Sequence, residues 1–258
     1  MEGKVVVYVI HDEHHEDRRS KIRNIFKKRD FHVLFPEIPY KDVDMEVDGK
    51  RYELYERHEA YQVGWCLADA KENYSKNPVL VIKDSSLCAA DRDTVSDVIH
   101  SSLSNSESFH VCYLCKWNDK CQLHSRRKKI KGTMSSLVKT QSPHGIQALL
   151  FTPDGRDVIL GVKPMKNGEF FKARESLGKS LNVHIVKGNL DAFCVVPNLI
   201  AYDIGLALDD RDYLKANECS PVLAFGVSGS SSINIYVAAL VIVILLILII
   251  WAAVCVAP

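Results

Sequence analysis

The sequence predicts a single Rossmann-like α/β domain with a mostly parallel sheet, followed by one C-terminal transmembrane helix. Two observations carry this prediction. Short apolar runs alternate with charged segments of helical period, which is typical of strands and helices in a parallel sheet covered by helices. Near the C-terminus, the twenty residues 237–256 contain no charged side chain.

The elements follow from their patterns in chain order. Val5–Ile10 is a β-rich apolar run and predicts a buried strand. Residues 16–29 place Ile22, Ile25 and Phe26 at helical spacing among charges, which predicts an amphipathic helix. Further strands are expected at 31–35, 79–82 and 109–115, and further helices at 55–74 and 91–103, while 146–151 is another apolar segment.

The uncharged run predicts a membrane span over 236–256, which includes Val237, Leu245, Ile250 and Val256. At ~1.5 Å per residue, a helix of this length crosses the ~30 Å hydrocarbon core of a bilayer. A buried core helix is the alternative, but such a helix rarely lacks a polar face entirely. The Ser/Gly-rich residues 220–235 predict a linker between this span and a domain at 1–219.

The N-terminal apolar run is too short for a signal peptide. We therefore expect a tail-anchored, single-pass protein with the bulk of the chain in the cytosol. A domain tethered in this way would also fit a membrane protein of a large DNA virus, in a host or virion membrane. The expected partners are the lipid bilayer and other membrane proteins.

Charge and cysteine content exclude some classes of protein. The chain has 33 Lys+Arg against 32 Asp+Glu, so no nucleic-acid partner is expected. Seven cysteines precede the predicted span and Cys255 lies within it. An odd, scattered set in a reducing compartment predicts free thiols.

Two clusters offer metal-ligand chemistry. His11, His14 and His15 follow the first strand, although a solvated loop leading into a helix explains them as well. Cys112, Cys115, Cys121 and His124 have spacings that would suit zinc. Because Cys112 lies within an apolar run, buried thiols are the preferred interpretation.

A basic block at 126–131 is interpreted as a solvated surface rather than a nucleic-acid or lipid patch. The position most typical of a site is Asp84 with Ser85, where a buried strand reaches solvent. A carboxylate there suits a hard divalent cation, although one carboxylate beside Lys83 is a poor metal site.

Taken in order, these segments resemble glycosyltransferase family 25, the lipooligosaccharide and collagen galactosyltransferases. The matching segments are VYVIHD (7–12), the Arg18–Arg19 helix, GWCLA (64–68), the strand ending at Lys83–Ser85, PHGIQALLFT (143–152) and AFCVVP (192–197). The resemblance implies a GT-A type fold and a nucleotide-sugar site with Asp84, Ser85, Gly145 and His11. It implies Mn²⁺ or Mg²⁺ only if transferase activity survives, and no cofactor otherwise.

The sequence departs from that family at the metal-binding strand end. Of three expected acidic positions, only Asp84 remains, and Lys83 places a positive charge where the family has a carboxylate. We therefore expect a membrane protein that has lost metal-dependent catalysis and acts through protein contacts. The alternative is an active sugar transferase that uses a nucleotide-sugar donor at the cytosolic face of a membrane.

Overall fold

The computed structural model describes residues 3–11, 16–39, 51–88, 90–105, 107–117, 127–173 and 176–202. Contacts divide the chain into two units, Met1–Cys219 and Ser220–Pro258, and the second unit lies wholly outside the described residues. The predicted linker at 220–235 and the predicted span at 236–256 therefore lie outside them too. Among the residues that are described, none of the helices has the length and apolar character needed to cross a bilayer.

Ten strands form two sheets within the described residues. They are β1 (Val5–Ile10), β2 (Phe31–Leu34), β3 (Val79–Lys83), β4 (Ser86–Cys88), β5 (Val111–Trp117), β6 (Arg127–Lys129), β7 (Ser136–Lys139), β8 (His144–Phe151), β9 (Ala192–Val196) and β10 (Ile200–Tyr202). Eight of them form one sheet in the order β2-β1-β3-β8-β5-β9-β7-β6, while β10 pairs with β4. This mixed eight-stranded α/β sheet fits a Rossmann-like fold.

The prediction of a mostly parallel sheet is wrong. Pairs β1–β2, β1–β3 and β5–β9 are parallel, whereas the other four pairs of the large sheet are antiparallel. Two strands account for the four antiparallel pairs: β7 lies between β9 and β6, and β8 lies between β3 and β5, each antiparallel to both neighbours. The last six residues of β8, Ile146–Phe151, are all buried. A continuous apolar run of this kind contains no information about strand direction.

The helices are α1 (Glu16–Ile25), α2 (Arg51–Asn73), α3 (Arg92–Leu103), α4 (Pro153–Ile159) and α5 (Leu177–Val186). The first three confirm the predicted helices at 16–29, 55–74 and 91–103. Neither α4 nor α5 was predicted, although each has a side-chain N-cap. Thr152 accepts from the Gly155 N–H before α4, and Ser176 accepts from the Lys179 N–H before α5.

The core has two parts, one on each face of the large sheet. Alternating residues of β1 divide between them, with Tyr8 in one cluster and Val7 in the other. The Tyr8 cluster includes residues of α2, α4 and α5, while the Val7 cluster includes residues of α1 and α3. The sheet is therefore covered by helices on both faces, as the sequence predicts.

A buried arginine connects α4 with the end of α2. The Arg156 side chain is 2% exposed, and its guanidinium donates to the carbonyl oxygens of Ala70 (3.3 Å), Tyr74 (3.2 Å) and Ser75 (2.7 Å). These carbonyls belong to the last turn of α2 and the residues just after it, and those of Ala70 and Tyr74 also accept from the backbone N–H groups of Tyr74 and Asn77. Arg156 thus caps α2 from another element.

Asp157 completes this connection. Its carboxylate accepts from Arg156 Nε at 3.1 Å and pairs with Lys71 Nζ at 3.1 Å. Burial raises the pKa of Asp157, but the hydrogen bonds and charges of Lys71 and Arg156 lower it by more, so the pKa lies below its ordinary value. Asp157 is therefore ionised wherever the fold is intact near neutral pH.

Candidate functional site

The candidate site lies at one edge of the large sheet. Strands β1, β2 and β3 are mutually parallel, and β5 and β9 run in the same direction because β8 is antiparallel to both β3 and β5. Their carboxyl ends therefore meet at a single edge, where ligands bind in open α/β sheets. His11, Asp84 and Ser85 follow β1 and β3 at this edge, and Gly145 lies at the start of antiparallel β8.

Asp84 is held by the backbone and by a cation. Its N–H donates to the carbonyl of Ile10 at 2.9 Å, which connects the end of β3 to the end of β1. Its carboxylate Oδ1 lies 3.8 Å from Arg18 Nη1 of α1, and the Asp84 side chain is 10% exposed. The carboxylate that the sequence offers to a metal ion is therefore shielded from water and faces a guanidinium.

Lys83, the residue before Asp84, has an acidic partner of its own. Its ammonium pairs with the carboxylate of Glu59 from α2, and the two side chains are 14% and 12% exposed. Burial lowers the pKa of Lys83, while the Asp84 carboxylate opposes that shift. Burial is the larger effect and brings the pKa of Lys83 to about 7, so the charge of this lysine depends on its acidic neighbours.

Gln147 connects the start of β8, where Gly145 lies, to the turn after β3 that contains Ser85. Gln147 of β8 is 1% exposed, and its Nε2 donates to Ser85 Oγ at 2.7 Å and to Ser86 Oγ at 3.2 Å. Gly145 lies two residues before Gln147 and has a φ of 93°, a conformation that favours glycine. The start of β8 is thus fixed against the turn that follows β3.

His11 has local contacts at the same edge. One ring nitrogen, Nδ1, lies 3.3 Å from the carbonyl oxygen of Val9, and the ring meets Phe35 edge-on at 6.0 Å between centroids. These contacts hold His11 beside β1 and the end of β2. His14 and His15 lie outside the described residues, so the histidine cluster stays a prediction.

The residues around Asp84 do not fit a divalent cation. Within the described ranges, no three His, Cys, Asp or Glu side chains come together as metal ligands. The nearest charges to Asp84 include Arg18, and Lys83 is its chain neighbour. Positive charges at these positions repel Mn²⁺ or Mg²⁺, and a hard cation needs several oxygen ligands.

The two described cysteines of the zinc hypothesis are buried in β5. Cys112 and Cys115 are 0% and 2% exposed, and both pack in the Val7 cluster. Strict strand alternation would direct them to opposite faces, but a register shift between Tyr113 and Cys115 places both on one face. Burial raises the pKa of the Cys112 thiol well above its ordinary value. Cys121 and His124 lie outside the described residues.

The described part of the basic block lies in β6, the edge strand of the large sheet, and in the residues just after it. Lys128 and Lys129 of β6 are exposed, and Lys128 Nζ donates to Asn105 Oδ1 at 2.9 Å. Ile130 is buried between them and the turn that leads to β7. This arrangement agrees with the prediction of a solvated surface.

An open cleft of about 470 Å³ lies at the opposite edge of the sheet, away from Asp84. It is lined by residues before β5 and after β8, including Phe109, His110, Thr152 and Asp154. His110 Nδ1 accepts from the Asp191 N–H at 2.9 Å, and burial lowers the pKa of the His110 ring. The cleft and the candidate site are therefore separate, and we place the site at the carboxyl edge because the buried charges gather there.

Comparisons with known proteins give little beyond a distant likeness. No family model matches the chain, and no curated protein matches it. The chain is similar to the solved structure of apo UDP-glucose pyrophosphorylase, with 14% identity and a TM-score of 0.33, over 74% of this chain and 72% of that one. It is also similar to UDP-glucose pyrophosphorylase complexed with UDP-glucose, with 13% identity and a TM-score of 0.35, over 83% and 79% of the two chains. The resemblance to glycosyltransferase family 25 rests on its short residue matches alone.

The sequence analysis missed two residues of this site, Glu59 and Gln147. Glu59 lies in a helix rich in charges, where an acidic side chain is typical of a solvated face. Gln147 lies within an otherwise apolar strand, and that isolated polar position was the available signal. Arg18 stands in the arginine-containing helix of the family resemblance, but its pairing with Asp84 is a tertiary contact.

Proposed function

We propose that the chain is a single-pass, tail-anchored membrane protein whose Rossmann-like domain faces the cytosol and acts through contacts with other membrane proteins. On this proposal, metal-dependent sugar transfer has been lost. The observation that supports the loss is the pairing of Asp84 with Arg18 at 3.8 Å. The uncharged residues 237–256 support the anchor.

The chemistry of a metal-dependent transferase explains why this pairing matters. Such an enzyme needs carboxylate oxygens free to hold a cation against the donor diphosphate. Here the carboxylate of Asp84 faces Arg18, and that of Glu59 is paired with Lys83. A metal ion would have to displace Arg18 from Asp84. The metal ion and the displaced guanidinium would then be two positive charges close together, which repel each other.

An active sugar transferase is the second candidate, favoured by the same cations. Arg18 and Lys83 lie at the carboxyl edge, where a diphosphate could pair with them directly and no metal ion would be needed. Such an enzyme would have to release Lys83 from Glu59 and Arg18 from Asp84 when the donor binds.

Titration calorimetry of the full-length chain in detergent with UDP-glucose tests both candidates, with and without Mn²⁺. The non-catalytic proposal expects no heat of binding in either condition. Mn²⁺-dependent binding that Asp84→Asn abolishes would overturn it. Metal-independent binding lost on Arg18→Gln would favour the second candidate. Asp93→Asn is the matched control, because the Asp93 side chain is 81% exposed on α3.

The anchor has its own experiment. We expect the full-length chain to remain with membranes after alkaline carbonate extraction. We also expect protease added to sealed organelle vesicles, whose cytosolic face points outward, to digest residues 1–219. Release by carbonate would contradict the anchor, and protection of residues 1–219 in intact vesicles would contradict the cytosolic orientation.

A further inference from the structure

Most of the exposed large apolar side chains come from one stretch of the chain, between residues 162 and 186. Within the described ranges, five large apolar side chains are exposed, and four of them are Val162, Phe170, Val183 and Val186. Val186 and Phe170 are 60% and 54% exposed. Residues of this kind scattered singly need no explanation, but a cluster marks an interaction surface.

The outward face of α5 carries part of this cluster. Leu177, Leu181 and Ile185 face the core, whereas Lys179, Val183, Val186 and Lys187 are exposed. The exposed four follow a spacing of i, i+4, i+7 and i+8, so they form one stripe along the helix. The helix is therefore apolar on its inner face and both apolar and basic on its outer face.

A neighbouring loop extends the stripe. The Phe171 ring packs on His184 of α5 at 5.5 Å between centroids, and the Lys166 N–H donates to the Asn189 carbonyl at 3.2 Å. These contacts hold the loop beside α5 and leave the adjacent Phe170 and Lys172 exposed. We call Phe170, Lys172, Lys179, Val183, Val186 and Lys187 the α5 surface.

The charge of this region is positive. Residues 160–190 contain six basic residues and two acidic residues. Lys163 and Lys166 are engaged with Asp154 and Asp191, at 2.6 and 2.5 Å. Lys172, Lys179 and Lys187 are exposed around the valines. Apolar side chains ringed by lysines are typical of surfaces that enter the headgroup region of anionic membranes.

We propose that the α5 surface lies against the anionic headgroups of the membrane that anchors the chain. This inference rests on the proposed function, since the predicted span at 236–256 would keep the domain beside a bilayer. Each lysine near an anionic surface strengthens binding roughly five-fold, and the valines and Phe170 add burial in the headgroup region. The partner is thus a lipid surface rather than a soluble protein.

Lysine acetylation read by mass spectrometry tests the proposal on the full-length chain reconstituted in vesicles. With vesicles that contain phosphatidylserine, acetylation of Lys172, Lys179 and Lys187 should slow several-fold relative to pure phosphatidylcholine vesicles. Lys128 and Lys129, which are exposed on β6, should react equally in both. The double change Val183→Asp and Val186→Asp should abolish the protection. Met134→Asp, at a side chain that is 88% exposed, is the matched control and should preserve it.

Three outcomes would overturn the proposal. Equal acetylation in both lipids would show that no anionic surface covers these lysines. Protection that grows with protein concentration would indicate a second copy of the chain, and protection that needs an added protein would indicate a protein partner. Carbonate extraction of the same vesicles reports separately on the anchor. If carbonate extracts the chain, the anchor proposal fails. Acetylation of the chain mixed with preformed vesicles then still tests whether the α5 surface binds anionic lipid.

Discussion

The Lys83 ammonium and the Glu59 carboxylate form an ion pair between β3 and α2, with side chains 14% and 12% exposed. The attraction between two buried charges is largely offset by the cost of removing them from water, so such a pair adds little net stability. Either charge left without the other is much more costly. The pair therefore fixes where α2 crosses the carboxyl end of β3, beside the candidate site.

We expect Glu59→Gln to lower the free energy of unfolding by about 3 kcal/mol, because it removes the carboxylate partner of a buried lysine. Lys83→Met should cost a similar amount, and the double variant should recover about 1–3 kcal/mol of the sum. Urea denaturation of all four proteins gives the coupling. The exposed ion pair between Lys28 and Asp93 provides the control cycle, with Lys28→Met and Asp93→Asn. Because the Asp93 side chain is 81% exposed, the coupling energy of this pair should be below about 1 kcal/mol. Additive effects at Lys83 and Glu59 would contradict the buried pair.

Asp157 predicts a pH dependence with a definite sign. Its pKa is lower in the folded chain than the ordinary value of 3.8, so its stabilising effect is complete above that value and is lost as the pH falls through the folded pKa. Asp157→Asn should lower the free energy of unfolding by about 1–2 kcal/mol at pH 7. The difference from the wild type should disappear in acid. Asp154→Asn, at an exposed carboxylate of the same helix, should have little effect at either pH.

Arg156 should not tolerate even a conservative change. Arg156→Lys retains the charge but cannot direct donors to the carbonyls of Ala70, Tyr74 and Ser75 at once. We expect a loss of about 2 kcal/mol for lysine and more than about 3 kcal/mol for methionine, because each buried carbonyl loses the hydrogen bond from the guanidinium. Hydrogen exchange should show faster opening at the C-terminal end of α2 in both variants. Unchanged exchange there would mean that Arg156 does not cap that helix.

Two glycines in helices should respond in opposite directions to alanine. A Cβ on Gly155 would overlap the backbone carbonyl of His110. Overpacking a core with side-chain atoms costs about 1–3 kcal/mol, and overlap with backbone costs more. Gly155→Ala should therefore destabilise the fold by at least about 3 kcal/mol. A Cβ on Gly178 would meet only Ile146 Cγ2, at 3.4 Å. Gly178→Ala should therefore raise the free energy of unfolding by up to about 1 kcal/mol, through helix propensity. Thermal melts of the two variants are sufficient to compare them.

The sequence was enough to locate the main buried strands and the first three helices, because their apolar periodicity is strong. It did not reveal β6, β7 or β10, which have three or four residues each and become strands through pairing with a neighbour. At the site, the structure places Asp84, Ser85 and His11 at the carboxyl ends of β1 and β3, and their role in binding stays a prediction. The partners Arg18 and Glu59 come from helices distant in the chain, and charges on helices carry no signal of which strand they will meet.

The position of β8 has a consequence for synthesis of the chain. β3 and β5 are separated in space by β8, yet both precede it in the sequence, and β9 follows later still. As the chain leaves the ribosome, β3 exposes one apolar edge and β5 exposes both until residue 151 has emerged. Unpaired edges of this kind favour pairing with other chains. The nascent protein thus passes through a stretch of translation in which chaperone protection matters more than at any earlier point. Segment 144–151 joins β3 to β5, and the other edge of β5 stays unpaired until β9 emerges.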